Sequence, residues 1–303
     1  MDWQQLVQLI TPTVESSLSG YPFYAALLAI GLGIGVLTGF FGVGGGFLVV
    51  PILNVLLGIN YEIAVGSSLS FIIGTSFAGL VKQNKLGNVH FRVAGYIIIG
   101  SVLGAVLGDS LQMFLLYGLA GGNTEMFTVF MHSIFIVVLI GTIFAMHTPK
   151  DSEAERIPLL ARLGPAPKFQ IEEWGSHGFS VPGSFLVGIL IGVFTGLLGI
   201  GGGVMLVPVL LGLYGLSHQK AAGTSLAIIF ATSIVAVIKK GFSDIPKISL
   251  PLTLILLVAS LIGVQVGIFF VRRISGAGFR RYFIYVLLAT IAMIAFDLIG
   301  TLV

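Results

Sequence analysis

Ten apolar runs, separated by short polar breaks, take up most of the chain. They read as helical segments over 22–41, 47–57, 63–81, 93–117, 125–146, 182–198, 204–214, 220–238, 249–271 and 281–299. A helix crosses the hydrocarbon of a bilayer with roughly 20 apolar residues. Within that layer a spanning segment must satisfy its own backbone amides and carbonyls, which a helix does. Only the second and seventh runs fall well short of a full crossing. Composition agrees: 56% of the 303 residues are hydrophobic and 9% are charged, against roughly 25% charged in a soluble domain. The fold expected is an all-α polytopic membrane protein, multi-pass in the cell (inner or plasma) membrane.

The net charge is +3, and the few basic residues sit between the runs. Their natural partners are lipid phosphates on the cytoplasmic face, so nucleic-acid binding is not expected. Cysteine is absent, which excludes disulfides, thiol relays and thiolate metal sites. The first twenty residues hold Asp2 and Glu15 but no Lys or Arg, unlike a cleavable signal.

The long polar stretch 148–180, with Pro149, Pro158, Pro165 and Pro167, divides the chain into a membrane unit 1–147, a central cytoplasmic loop and a membrane unit 181–303. The two units are copies. Gly39-Phe40-Phe41-Gly42-Val43-Gly44-Gly45-Gly46, followed by Pro51, returns as Gly196-Leu197-Leu198-Gly199-Ile200-Gly201-Gly202-Gly203, followed by Pro208. At the same offset Gly31, Gly35, Thr38, Ser68, Thr75, Ser76 and Lys82 meet Gly188, Gly192, Thr195, Ser225, Thr232, Ser233 and Lys239. Internal duplication of this kind is a common plan of secondary transporters, with substrate held between the repeats near the midplane. With five crossings per unit the second copy enters the membrane upside down; with the short runs re-entrant the copies lie parallel. Each arrangement violates the positive-inside rule once. Inversion with the N-terminus outside is preferred, which leaves only Lys239, Lys240 and Lys247 on the wrong side.

The triple glycines carry the main chemical signal. Consecutive glycines break a helix, and a break inside a membrane is tolerated where it is buried or lines a wet cavity. A new short helix then starts at Gly44–Phe47 and again at Gly201–Val204, each with amides that lack intrahelical partners. Two such starts brought together form an anion site with no charged side chain. Gly44, Gly45, Gly46, Phe47, Gly201, Gly202, Gly203 and Val204 are therefore candidate substrate-binding residues. So are the hydroxyls Ser67, Ser68, Thr75, Thr224, Ser225 and Thr232, which either replace an oxyanion's hydration or bond their own helices. Gln265, in the middle of its run, is expected to face the cavity. His132, well inside the fifth run, is a candidate for a coupling proton. Lys82 and Lys239, paired by the repeat, are candidates for substrate attraction. Asp109 and Asp297 are read as interfacial. The remaining glycine ridges, 31/35/39, 100/104/108 and 188/192/196, have small-xxx-small packing spacing and would join the two units or two subunits of a homodimer.

With this doubled G-[FL]-[FL]-G-[VI]-G-G-G-x-x-x-V-P block, and the Ser/Thr-rich segment after each copy, the chain resembles the TauE/SafE family of sulfite exporters and related anion permeases. The resemblance covers essentially the whole membrane part. It implies a secondary transporter whose substrate is a small sulfur-containing anion: sulfite, thiosulfate or an organosulfonate. Three other classes fit less well. A channel wants a continuous polar lining rather than broken central helices. An intramembrane enzyme needs a catalytic constellation, and neither H-E-x-x-H nor a serine with a nearby base is found. A metal permease needs clustered ligands, whereas His90, His132, His147, His177 and His218 are scattered. No cofactor or metal is expected.

Overall fold

The computed structural model describes residues 21–147, 168–170, 178–241, 248–271 and 273–302. Its helices follow the apolar runs. They are α1 (Tyr21–Phe41), α2 (Gly46–Pro51), α3 (Tyr61–Lys85), α4 (Phe91–Phe114), α5 (Thr124–His147), α6 (Val181–Leu198), α7 (Gly203–Gly212), α8 (His218–Gly241), α9 (Leu250–Val271) and α10 (Gly276–Leu302). Among the described residues, eight of these are long and apolar enough to cross a membrane; α2 and α7 are not. Three local features were not anticipated. α2 and α4 each run on into a π turn, Ile52–Leu56 and Leu115–Leu119. β1 (Lys168–Gln170) and β2 (Gly178–Ser180) pair as a small antiparallel ribbon inside the central stretch. α10 starts at Gly276, ahead of Arg280 and Arg281, because Ser275 accepts from the amide of Gly278 and begins the helix there. The first twenty residues, most of the central loop, Lys247 and Arg272 lie outside the described residues.

Register fixes the helix directions. Gly31, Gly35 and Gly39 of α1 meet the backbone of Leu256, Ser260 and Val264 in ascending order, so α1 and α9 are parallel. α3 runs with them: Ser67 meets Ser249, Gly74 meets Leu257 and Gly79 meets Val264. A second parallel set is α4, α6 and α8. Gly100, Gly104 and Gly108 meet Phe185, Ile189 and Val193, while Thr224, Thr232 and Lys240 reach His90, Ser101 and Asp109. A short turn joins α3 to α4, so the two sets run oppositely, and each draws helices from both halves of the chain.

The ridges fit so closely that a methyl group added at Gly39, Gly104, Gly192 or Gly267 would fall on a carbonyl oxygen of the facing helix. With no apolar solvent difference to drive helices together in lipid, such close backbone contact supplies the attraction. The ridges thus join the two halves of this chain. The outer surface carries Val137, Phe144, Leu186, Ile262 and Phe296, large apolar side chains exposed where hydrocarbon suits them.

α1 and α3 start on the same face of the bundle as α9, so the chain ascends in α1 and returns through α2. The same holds for α6 and α7, since α6 and α8 both start beside the start of α4. The sequence reading offered either five crossings or a short segment that dips alone. Instead a long helix and its short successor form a hairpin that begins and ends at the same end of the bundle.

Candidate functional site

Both breaks are built from left-handed backbone. Gly42, Gly44 and Gly45 have φ of 71°, 72° and 82°, and Gly199, Gly201 and Gly202 have 69°, 67° and 70°. That conformation costs a side-chain-bearing residue roughly 1–2 kcal/mol, which explains glycine at each of these positions. The breaks then meet. Gly46 lies against the backbone of Gly199 and Ile200, and Gly203 lies against the backbone of Val43. α2 and α7 therefore start side by side and run apart toward opposite faces, with their positive dipole ends together.

No side chain caps either start. Among the described residues, no carbonyl accepts from the amides of Gly44, Gly45, Gly46 or Phe47, nor from those of Gly201, Gly202, Gly203 or Val204. All eight residues are buried. Buried amides without an acceptor are rare in folded proteins. Around them close Ile72 and Ile229, each touching the space beside both Gly44 and Gly201. Thr38 and Thr195 place their hydroxyl oxygens 2.7 Å from where a Cβ on Gly45 and on Gly202 would stand. Thr195 donates to the Ile191 carbonyl, whereas the buried Thr38 hydroxyl has no partner among the described residues. Phe47, whose ring lies 6.4 Å from that of Phe283, connects the first start to α10.

The hydroxyls singled out in the sequence surround the breaks, but most are committed to the backbone. Ser68 donates to the Gly199 carbonyl at 3.1 Å, and its counterpart Ser225 donates to the Gly42 carbonyl. Thr75 donates to the Gly44 carbonyl at 3.3 Å and Thr232 bonds Ser101 at 2.7 Å. Ser67 accepts from the Ser249 amide at 2.9 Å, and Thr224 accepts from the His90 amide at 3.0 Å. These last two serve as caps supplied from a neighbouring helix, α3 for the start of α9 and α8 for the start of α4. Ser68, Ser225 and Thr75 hold the breaks in shape; Ser67 and Thr224, one position earlier on their helices, bond a neighbouring helix instead.

Two expectations, for Gln265 and Asp109, are corrected. Gln265 is exposed on the outside of α9, because Gly263 and Gly267 face α1 and a residue two positions from each points the other way. Lys82 and Lys239 are both exposed, while the buried lysine is Lys240, which donates to Asp109 at 2.8 Å. Asp109 is accordingly an interior residue, and Asp297 lies 3.4 Å from Nδ1 of the buried His132. Sequence reasoning missed Ile72 and Ile229, whose only signal is that they occupy matching repeat positions. It recorded Thr38 and Thr195 as matching without assigning them to the site. No group of three or more His, Asp or Glu able to hold a metal occurs among the described residues.

Residues 27–294 match the family described as sulfite exporter TauE/SafE. Among curated proteins the chain is similar to the probable membrane transporter protein YjnA of Bacillus subtilis, 25% identical over 246 residues that cover 80% of this chain and 88% of the relative. A probable membrane transporter protein of Methanocaldococcus jannaschii is 26% identical, with 82% and 86% covered. One from Xylella fastidiosa is 27% identical, with 72% and 75% covered. No solved structure matches.

Proposed function

This chain belongs to the sulfite exporter TauE/SafE family of membrane transporters, and from that premise we propose that it carries a small sulfur-containing anion, such as sulfite, thiosulfate or an organosulfonate. The anion is held between the starts of α2 and α7 near the bilayer midplane. The observation that carries this reading is the meeting of two uncapped helix starts in a buried space. Amide donors, glycines that let a ligand approach the backbone, and the Thr38 hydroxyl suit an oxyanion. Neither short helix has a carboxylate, so a cation would find only carbonyls and neutral hydroxyls there. The two halves act as inverted copies: α1 and α3 run against their counterparts α6 and α8, and contacts recur in exchanged form, Gly42 with Ala222 and Gly199 with Val65. A site on the axis relating inverted halves can open to either face by the same small rearrangement. Enclosure of the breaks by Ile72 and Ile229 favours an occluded carrier over an open channel.

The test is the melting temperature of the detergent-purified protein against sulfite, thiosulfate, sulfate, taurine, sulfoacetate, acetate, chloride and divalent cations. A ligand that binds only the native state adds RT ln(1 + [L]/Kd), about 2.7 kcal/mol at a hundredfold excess over Kd. A rise confined to sulfur oxyanions or sulfonates, lost in Gly202→Leu, supports the reading. A rise only with divalent cations, or with none of the anions, overturns it.

A further inference from the structure

Outside the breaks the interior holds few ionisable groups, and one pair joins the two peripheral helices. His132 of α5 is 1% exposed and its Nδ1 lies 3.4 Å from Oδ2 of Asp297 on α10, whose side chain is 31% exposed. The ring edge of His132 packs on Tyr61 at the start of α3, with centroids 5.8 Å apart. His132 Nε2 and the Tyr61 hydroxyl are both buried without a hydrogen-bond partner among the described residues. An ionisable residue in a membrane interior is expensive to keep, which points to use rather than packing.

The pair also occupies a particular mechanical position. α10 packs on α2 and brings Phe283 against Phe41 and Phe47, so it touches the half-helix after the first break. α5 packs on α7, the half-helix after the second break. His132 and Asp297 thus brace together the two helices that back the two half-helices. We infer that this pair is a proton-binding site whose occupancy is coupled to movement of α2 against α7, making the carrier proton-driven. The inference rests on the transport reading above. The proton enters by Asp297, the more exposed partner, and is held between the imidazole and the carboxylate. Loss or gain of it changes the attraction between α5 and α10. Among the described residues the other titratable groups at this end are Tyr24 on α1, Tyr61 and Glu62 on α3, Asp109 on α4 with Tyr117 on the π turn after it, Glu125 on the first turn of α5, and Lys239 and Lys240 on α8; α2 and α7 contribute none.

Full-length protein in liposomes gives two independent readouts. The first is accumulation of radiolabelled thiosulfate, which stays ionised at neutral pH, with and without an imposed pH gradient, beside exchange at equal pH. In the unaltered protein the gradient drives accumulation. In H132Q and D297N that dependence falls by about tenfold, a coupling of ordinary size, while exchange persists and shows that the variants are folded. The second readout needs no transported anion: infrared difference spectra between acid and neutral pH contain a carboxylic C=O band that D297N removes and H132Q shifts. Gradient-driven accumulation left intact in both variants overturns the inference. So does an infrared difference unchanged by D297N. If the unaltered protein moves no thiosulfate, the transport reading fails for that anion, and the infrared result still decides whether the pair binds a proton.

Discussion

Two adjacent lysines near the end of α8 show how much turns on a single position. Lys239 points outward, while Lys240 turns in to Asp109 and Gln112 on α4. At the repeat-equivalent place on α3 stands Gln83, buried beside Asn88 with no charge at all. Truncating one member of a buried ion pair strands the other, at roughly 3–5 kcal/mol. Lys240→Met should therefore lower the melting temperature sharply, and the double variant Asp109→Leu/Lys240→Met should recover most of the loss; a purely additive cycle would count against the pair. Ser67→Ala and Thr224→Val should each cost about 1 kcal/mol of stability, as lost caps do, without a selective loss of ligand-induced stabilisation. At this scale the sequence was only partly legible. Residue types named the polar set, but which side of a helix turns inward depends on where the neighbouring helix lies. That is why Gln265 and Asp109 were misplaced and Lys240 was overlooked.

Helices, by contrast, could be read almost to their ends. Length and hydropathy alone decide a membrane helix, and the glycine breaks and short polar turns mark its termini. The π turns after Pro51 and Phe114 left no such mark. Glycine spacing also announced the ridges, though not their partners, since the same spacing serves any close helix pair. A graded series tests the contact. Gly39→Ala and Gly104→Ala, which would place a methyl on Val264 and Ile189 backbone, should fail to give a stable protein. Gly33→Ala, with nothing within 4 Å, should be neutral or stabilising by up to about 1 kcal/mol, glycine's helix penalty. Gly45→Ala combines a φ of 82° with a clash on Ile34 and Thr38 and should abolish anion-induced stabilisation. Yield and melting temperature in one detergent rank the four.

For the whole molecule, charge sets the orientation. Lys82, Lys85, Arg92, Lys220, Arg273, Arg280 and Arg281 gather at one face, where α3 and α9 end and α4, α8 and α10 begin. With Lys240 neutralised by Asp109, the opposite face carries one less unpaired positive charge than the sequence count suggested, and the positive-inside rule predicts that the first face is cytoplasmic. The absence of cysteine makes this simple to check. Thr124→Cys should react with an impermeant maleimide on intact cells and Asn84→Cys only after lysis; the reverse pattern would turn the molecule over. The doubled glycine block was plain in the sequence, but not the hairpin of α1 and α2, because hydropathy counts apolar runs and is blind to whether the chain comes back out where it went in.

The pairing of α1 with α9 has a consequence for how the chain is made. A ribosome delivers α1 well before α9, with the second glycine-ridge pair, α4 and α6, completed in between. During synthesis α1 has no ridge to receive its glycine face, so lipid or the insertion machinery must cover that face until most of the protein has been translated. A nascent chain halted before α9 would hold the finished α4–α6 pair beside an unpartnered α1, and such a fragment is the species that membrane quality control would meet first.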